Sequence, residues 1–459
     1  MYSDVKARIR NGDKLSNTVN STKGVKQGDS CSSILFSLFV NELANDIINN
    51  GRHGVRISRD LVELFILLFA DDLVLLSETV VGLQRQLNNL YTSSRKLDLK
   101  VNMSKTNIIV FRKGGYLAER EQWYFGRERV TVVNAYKYLG LYFSTRLSFT
   151  YTCNDLMSKA KNAIYMILRN MYRFQNSSID VFFRLFDAQV QPILLYGAEI
   201  WGLEKGKDIE KVHLIAMKKL LFVPVQTPND IIYGELGRYP LYINAYLACI
   251  KYWLRILLSM DANRIPVHCY KMLYALDERG KNNWVTNIRK CLCFHGFQHV
   301  WDAQGVGCTK SFLQEFKQRL IDCRWQEWHA HVMESDRFAT YRIFKQNNNV
   351  EPYLYVDVNK YIRNALTRFR CGMSLLAVHA NRYKNENVLC TMCQLMHEQN
   401  KIYIMFVCPC LHDLREQFIP VKYWRNPSNF RLSILLNSRT KTVLENVAKF
   451  LYFSFKRIN

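Results

Sequence analysis

The sequence predicts an α+β chain, mixed in its first third and mainly helical afterwards. Up to about residue 145, segments with helical spacing alternate with short apolar runs bounded by turn residues. After Ser148, apolar residues recur every three or four positions through several long segments. Of the 459 residues, 49% are hydrophobic and 13% aromatic, which excludes a disordered chain and leaves ample material for cores. The length suits about three domains.

Residues 1–23 are polar and turn-rich, without a strong period. A helix is predicted from Ser33 to Asn49, with Leu35, Phe36, Phe39, Val40, Leu43 and Ile47 on one face and Ser32 or Ser33 as its cap. From Phe65 to Leu76, two apolar runs flank Ala70-Asp71-Asp72, the pattern of a β-hairpin. The runs do not alternate, so both faces of this hairpin are expected to be covered. A helix over 79–97 follows, with Leu83, Leu87, Leu90, Ser94 and Leu97 on a stripe. Strands are predicted over 99–102, 107–111, 129–133 and 136–143. This alternation suggests a sheet layered with helices, in an α/β or α+β arrangement. Later, Leu156, Ala160, Ala163 and Ile167 mark a helix over 153–172. Further helices are predicted over 179–200, 208–221, 242–260, 310–333 and, basic in character, 440–457. The stretch 261–310 has no readable period.

Lys and Arg number 63 against 39 Asp and Glu, a formal charge of +24. Such an excess points to a polyanionic partner, either nucleic acid or an anionic membrane. A membrane is disfavoured. The run Leu61–Leu76 is interrupted by Glu63, Asp71 and Asp72, and Tyr242–Met260 carries Lys251 and Arg255. Neither is a clean apolar span of about 20 residues. The N-terminal residues lack the apolar core of a signal peptide, so an intracellular protein is expected. Thirteen cysteines, an odd number, argue against a disulfide framework. Isolated ones such as Cys31, Cys153 and Cys249 read as small hydrophobes.

Phe69-Ala70-Asp71-Asp72 is the sharpest chemical feature, with two carboxylates at the tip of an apolar hairpin. Adjacent carboxylates are relieved by water or by a hard cation such as Mg²⁺, which suits phosphoryl transfer. Taken alone, the tetrapeptide equally fits a solvated turn. Its surroundings argue otherwise. Gly24-Val25-Lys26-Gln27-Gly28-Asp29 lies upstream and leads into the first helix, and its glycines let backbone approach a partner closely. Basic residues with interleaved aromatics follow the mixed region. Lys159, Lys161, Arg169 and Arg173 accompany Tyr165 and Tyr172, and Lys218 and Lys219 lie further on, a composition suited to phosphates and unpaired bases. Cys390-x-x-Cys393 followed by Cys408 has zinc-like spacing, with His397, Cys410 or His412 as candidate fourth ligand. Cys291, Cys293, His295 and His299 mimic a second site but read better as buried thiols in a helix–loop region.

These residues carry a resemblance. Residues 24–36, Gly-Val-Lys-Gln-Gly-Asp-Ser-Cys-Ser-Ser-Ile-Leu-Phe, resemble a catalytic-core motif of the reverse transcriptases of non-LTR (LINE-type) retrotransposons. Phe69-Ala70-Asp71-Asp72 resembles their double-Asp motif. Leu99-Lys100-Val101-Asn102, with Lys105 and Thr106, is similar to the next motif, and Tyr136-Lys137-Tyr138-Leu139-Gly140 to the primer grip. Residues 192–201 resemble a thumb segment. The resemblance is good over residues 1–240 and looser over 371–415.

It implies a C-terminal fragment with a partial polymerase palm over 1–145, a helical thumb over 146–260, a helical region over 261–370 and a cysteine-containing region over 371–459. It implies RNA-directed DNA polymerisation on an RNA template and DNA primer with deoxynucleotides, expected in the nucleus. Asp71 and Asp72 would hold Mg²⁺, and Lys105 would protonate the leaving pyrophosphate. Gln27, Gly28, Phe69 and Ala70 would line nucleotide and template, and Tyr138, Leu139 and Gly140 would grip the primer. Cys390, Cys393 and Cys408 would form a candidate zinc knuckle.

Four departures stand out. The family's first Asp-bearing strand precedes the Gly-x-x-Gln-Gly loop and has no counterpart here; Asp4 is not a replacement. Two-metal transfer needs carboxylates that clamp both ions. The chain alone is therefore expected to be inactive, or to be a non-catalytic nucleic-acid-binding transposon remnant. A missing palm strand would also expose an edge. Ser33 stands where the family often has Pro, and Asp98 where it often has Gly. In the knuckle, Cys408-Pro409 matches, but Tyr403 stands where a His is expected.

Overall fold

The computed structural model describes residues 5–21, 24–25, 28–49, 53–57, 63–173, 178–345, 347–380, 388–390, 392–393 and 395–458. The chain divides into two compact units, one of residues 1–148 and 261–281, the other of 149–260 and 282–459. The fold is α+β, with short strands confined to the first unit and helices dominating the second.

Four strands open the first unit: β1 (Val5–Ala7), β2 (Arg10–Asn11), β3 (Lys14–Leu15) and β4 (Val19–Ser21). β2 and β3 form a hairpin nested inside the β1–β4 pair. Helix α1 (Ser32–Asn49) follows. Just before its start, the Asp29 carboxylate accepts from the Cys31 amide at 2.9 Å. Only part of its expected face is covered. Val40, Leu43 and Ile47 are buried, whereas Leu35 and Phe39 are exposed beside Ile34 and Leu38. The apolar spacing runs the whole helix, but its neighbours cover only the later turns.

β5 (Val55–Arg56) pairs with β6 (Glu63–Leu64), and β7 (Ile66–Phe69) with β8 (Asp72–Leu75). Helix α2 (Val80–Lys96) packs on α1, capped by the Thr79 hydroxyl, which accepts from the Gly82 amide. Phe65 and Leu90 close a small core with the buried residues of α1. A second core gathers Leu87, Ile108, Trp123 and Val130, and the Trp123 indole donates to the Val80 carbonyl at 3.0 Å.

All four strand predictions need correction, that over 129–133 because it divides between two short strands, Glu128–Arg129 and Thr131–Val132, with different partners. Residues 99–102 form no strand. Asp98 ends α2 at φ 51°, and the Leu99 amide donates back to the Ser94 carbonyl at 2.8 Å. This left-handed cap is the conformation glycine favours, so the family's usual Gly has a backbone reason. The strand over 107–111 shrinks to β9 (Asn107–Ile108). After β10 (Tyr124–Phe125), β11 (Glu128–Arg129) and β12 (Thr131–Val132), the strand over 136–143 proves to be two, β13 (Ala135–Tyr138) and β14 (Leu141–Ser144). Leu139 and Gly140, at φ 45° and 83°, fold them back on each other in a two-residue turn. Every sheet among the described residues has two strands, and β9 with β12 is the one parallel pair.

In the second unit, α3 (Thr150–Arg173) buries Leu156, Ala160, Ile164, Ile167 and Met171. The predicted helices over 179–200 and 208–221 are divided differently. α4 (Ile179–Leu185) runs through a π-helical segment, Phe186–Val190, into α5 (Gln191–Leu194). Pro192 has no N–H to donate backwards, which accounts for the altered helix there. The chain then breaks at Gly197, at φ 69°, and α6 (Ala198–Leu220) continues without interruption. After α7 (Asn229–Leu236) comes α8 (Tyr242–Leu258), which lies against α6; a Cβ on Gly202 would meet the Ala245 carbonyl oxygen at 2.8 Å.

The stretch without a readable period contains α9 (Ile265–Glu278), α10 (Trp284–Phe294) and α11 (Gln298–Asp302). α12 (Thr309–Glu334), α13 (Lys360–Arg370) and α14 (Ala377–Ala380) follow. The chain closes with α15 (His412–Phe418), α16 (Val421–Trp424), α17 (Asn429–Leu436) and α18 (Lys441–Ile458), the last packed along α13. No helix among the described residues is long and apolar enough to cross a membrane.

Candidate functional site

The β7–β8 register pairs Phe69 with Asp72, so Ala70 and Asp71 form a two-residue turn. Ala70 lies at φ 51°, where a side chain costs on the order of 1 kcal/mol. That turn leaves Asp71 and Asp72 exposed at the hairpin tip. Contrary to expectation, the hairpin is incompletely covered, with Leu67 and Val74 half-buried and Leu68 and Phe69 exposed towards its tip. Ile66, Leu73 and Leu75 pack on the core of α1 and α2. By the register, Leu67, Phe69, Asp72 and Val74 share the other face, where Phe69 is 61% exposed. A continuous apolar run carries no period to say which face is used.

The second hairpin comes close to the first. The Tyr138 phenol is pushed above its ordinary value, first by burial and then by the negative charge of Asp72. Asp72 and Tyr138, far apart in sequence, are thus electrostatic neighbours. Tyr138 is half-buried and Leu139 exposed at the turn. Tyr136, two residues before Tyr138 on the same strand face, donates its hydroxyl to the Lys105 carbonyl at 2.8 Å. That anchor was not singled out from sequence; the two-residue spacing from Tyr138 was its signal. The Lys105 side chain is itself exposed, and no ion pair among the described residues joins its ammonium to Asp71 or Asp72. Gly28 has φ 89°, with open space where a Cβ would stand. Gln27 lies outside the described residues.

Asp71 and Asp72 suit a hard divalent cation, but no third carboxylate gathers with them into a metal-holding group among the described residues. The group that does form is Cys390, Cys393 and Cys408, whose sulfurs lie within 4.8 Å of one another. Three thiolates on a tetrahedral zinc stand about 3.8 Å apart, so these residues fit. The Tyr403 hydroxyl lies 2.8 Å from the Cys393 sulfur. Burial acts to raise the Cys393 thiol, but hydrogen bonds with Tyr403, the Leu395 backbone and the two neighbouring cysteines together outweigh it, and the net shift is downward. Burial pushes Cys408 up to about 12.

None of the fourth ligands weighed from sequence joins the group. The His397 ring packs on Tyr403 at 5.3 Å, Cys410 donates to the Met392 carbonyl at 3.1 Å, and His412 lies 3.7 Å from Glu416. The polar group beside the three sulfurs is instead the Tyr403 hydroxyl, through its hydrogen bond with Cys393. Cys291 is buried and Cys293 donates to Gln298, so the pseudo-site of the second unit gathers no metal-holding group. All thirteen cysteines are free.

Residues 2–143 match the reverse transcriptase (RNA-dependent DNA polymerase) family. This stretch ends at the primer-grip-like hairpin and includes the double-Asp turn. Two retrovirus-related Pol polyproteins from the type-1 retrotransposable element R2 of Popillia japonica are similar beyond it. One is 25% identical over 47% of this chain and 30% of its own length; the other is 23% identical over 51% and 38%. The chain is similar to the reverse transcriptases of non-LTR retrotransposons. A transposon-derived protein of Caenorhabditis elegans is also similar, 29% identical over 30% of this chain and 49% of its own length. The chain spans about a third of the length of the two R2 relatives. Those matches extend past residue 143 in coverage, so the likeness to retrotransposon reverse transcriptases reaches into the helical unit.

Proposed function

We propose that this chain supplies part of the active site of an RNA-directed DNA polymerase. Asp71 and Asp72 hold a divalent cation, Mg²⁺ in this reading, and Tyr138, Leu139 and Gly140 steady the primer end beside it. The exposed double-Asp turn, within the stretch that matches the reverse transcriptase family, carries this reading, and the charge of Asp72 acting on the Tyr138 phenol supports it. Bound there, the cation would supply charge neutralisation for attack of a primer hydroxyl on a deoxynucleotide α-phosphate. The chain's own part is positioning: a strained turn presents both carboxylates, and Tyr136 ties the grip to the Lys105 turn. Gln27, Gly28, Phe69 and Ala70 complete the nucleotide side, with Lys105 as proton donor. An RNA template and DNA primer are the partners, met in the nucleus. In the second unit, Cys390, Cys393 and Cys408 hold zinc, with Tyr403 at the fourth corner.

One observation favours a second reading, a nucleic-acid-binding transposon remnant without catalysis: only two carboxylates gather at the hairpin among the described residues. Primer extension on an RNA template with Mg²⁺, beside an Asp71→Ala, Asp72→Ala double variant, separates the two. No extension by either protein is expected of the chain alone, because the clamp lacks a carboxylate. Extension lost in the double variant establishes the site and overturns that expectation. Extension that survives in the double variant contradicts the site altogether.

A further inference from the structure

The second unit holds an open pocket of about 440 Å³ between α3 and the end of α6, large enough for a nucleotide. Tyr165 and Tyr172 stand two turns apart on α3, Leu168 and Phe222 form apolar wall, and Lys219 and Arg368 reach in from α6 and α13. No acidic side chain lines it. The Lys219 ammonium lies 5.1 Å from the Tyr165 ring centre, and Lys360 lies 5.0 Å from that of Tyr172. Both tyrosines keep substantial exposure, 51% and 41%.

The wall is built with strain. Phe222 adopts φ 53°, a conformation unusual for a bulky residue, and Arg368 holds its carbonyl with a 3.1 Å hydrogen bond. Lys218 is buried and donates to the Val225 carbonyl at 2.7 Å, which draws the following loop onto the helix end. Along α3, Lys161 and Arg169 are exposed one turn to either side of Tyr165, extending the basic and aromatic stripe. Lys159 is instead paired with Asp155 at 2.8 Å.

Exposed rings flanked by cations suit unpaired bases joined by phosphates, because a duplex offers phosphates but no free base face. We propose that this pocket binds single-stranded nucleic acid, seating an unpaired base against Tyr165 and Tyr172 with adjoining phosphates on Lys219, Lys360 and Arg368. The assignment rests on the reading of this chain as one that handles nucleic acid, but not on Asp71 or Asp72.

Fluorescence anisotropy with labelled 12-nucleotide oligouridylate, oligothymidylate and a blunt duplex tests it. The full chain is assayed without added Mg²⁺ or deoxynucleotides, so the outcome is independent of a cation at the hairpin and of polymerase activity, and any zinc at the cysteines is kept. Tyr165→Ala is expected to weaken single-strand binding roughly ten- to a hundredfold while duplex binding holds. Tyr165→Phe keeps the ring and should retain affinity. Lys219→Ala should flatten the dependence of log affinity on log salt by about 0.7, one phosphate contact. Binding to one sugar in preference to the other assigns RNA or DNA as the source. An unchanged affinity in Tyr165→Ala, or an equal loss on duplex and single strand, overturns the proposal.

Discussion

The Tyr403 hydroxyl sits 2.8 Å from the Cys393 sulfur, at the position where a related knuckle carries histidine. A phenol is a poorer zinc ligand than an imidazole, so the proposed zinc site would have three strong ligands and one weak one. Competition of the full chain with a chromophoric chelator should register one zinc per chain. Cys408→Ser should abolish uptake and Tyr403→His should tighten it. No uptake by the native chain would contradict the site. The cysteines were legible because Cys-x-x-Cys is local. The fourth corner was not, because it depends on how residues 397–412 fold, and spacing left His397, Cys410 and His412 equally open. Asp71 and Asp72 were legible for the same local reason. The charge coupling of Asp72 to Tyr138 was not, because 66 residues separate them.

Among the elements, the two hairpins of the first unit show where sequence patterns stop. The β7–β8 hairpin was readable from two apolar runs around a polar pair, but its incomplete cover was not. The β13–β14 hairpin was misread as one strand because Leu139 is an unusual turn residue. Its φ of 45° belongs to a type I′ turn, in which Asn-Gly is favoured. Leu139→Asn, which creates that pair, should therefore raise stability by about 1 kcal/mol in urea unfolding. A loss of similar size would mean that Leu139 contributes packing that outweighs its backbone strain. Helices fared better, since three- and four-residue spacing survives in the structure of α2, α3 and α12. The break at Gly197 was missed, and Gly202 and Gly206 lie inside α6, where they pack closely on Ala245.

At the scale of the molecule, the two units are built differently. The first has small cores under two-stranded sheets. The second has an extended core, tied by a buried ionic centre that no local pattern announces. Arg370, fully buried, donates to Glu235 at 2.9 Å, Glu351 at 2.6 Å and the Leu436 carbonyl at 3.1 Å, while Lys345 also pairs with Glu351. Such a centre tolerates no loss of one partner, because the remaining charge stays buried. The pocket of the same unit draws Tyr165, Lys219 and Arg368 from three helices, so only its α3 and α6 members were visible in the sequence.

The central claim is that Asp71 and Asp72 hold a divalent cation at the primer end. The most direct measurement replaces Mg²⁺ with Fe²⁺ and maps hydroxyl-radical cleavage of an end-labelled template–primer bound to the full chain. The expected result is cleavage confined to the last few primer nucleotides, absent in the Asp71→Ala, Asp72→Ala variant. Cleavage spread along the duplex, or unchanged in that variant, would contradict it.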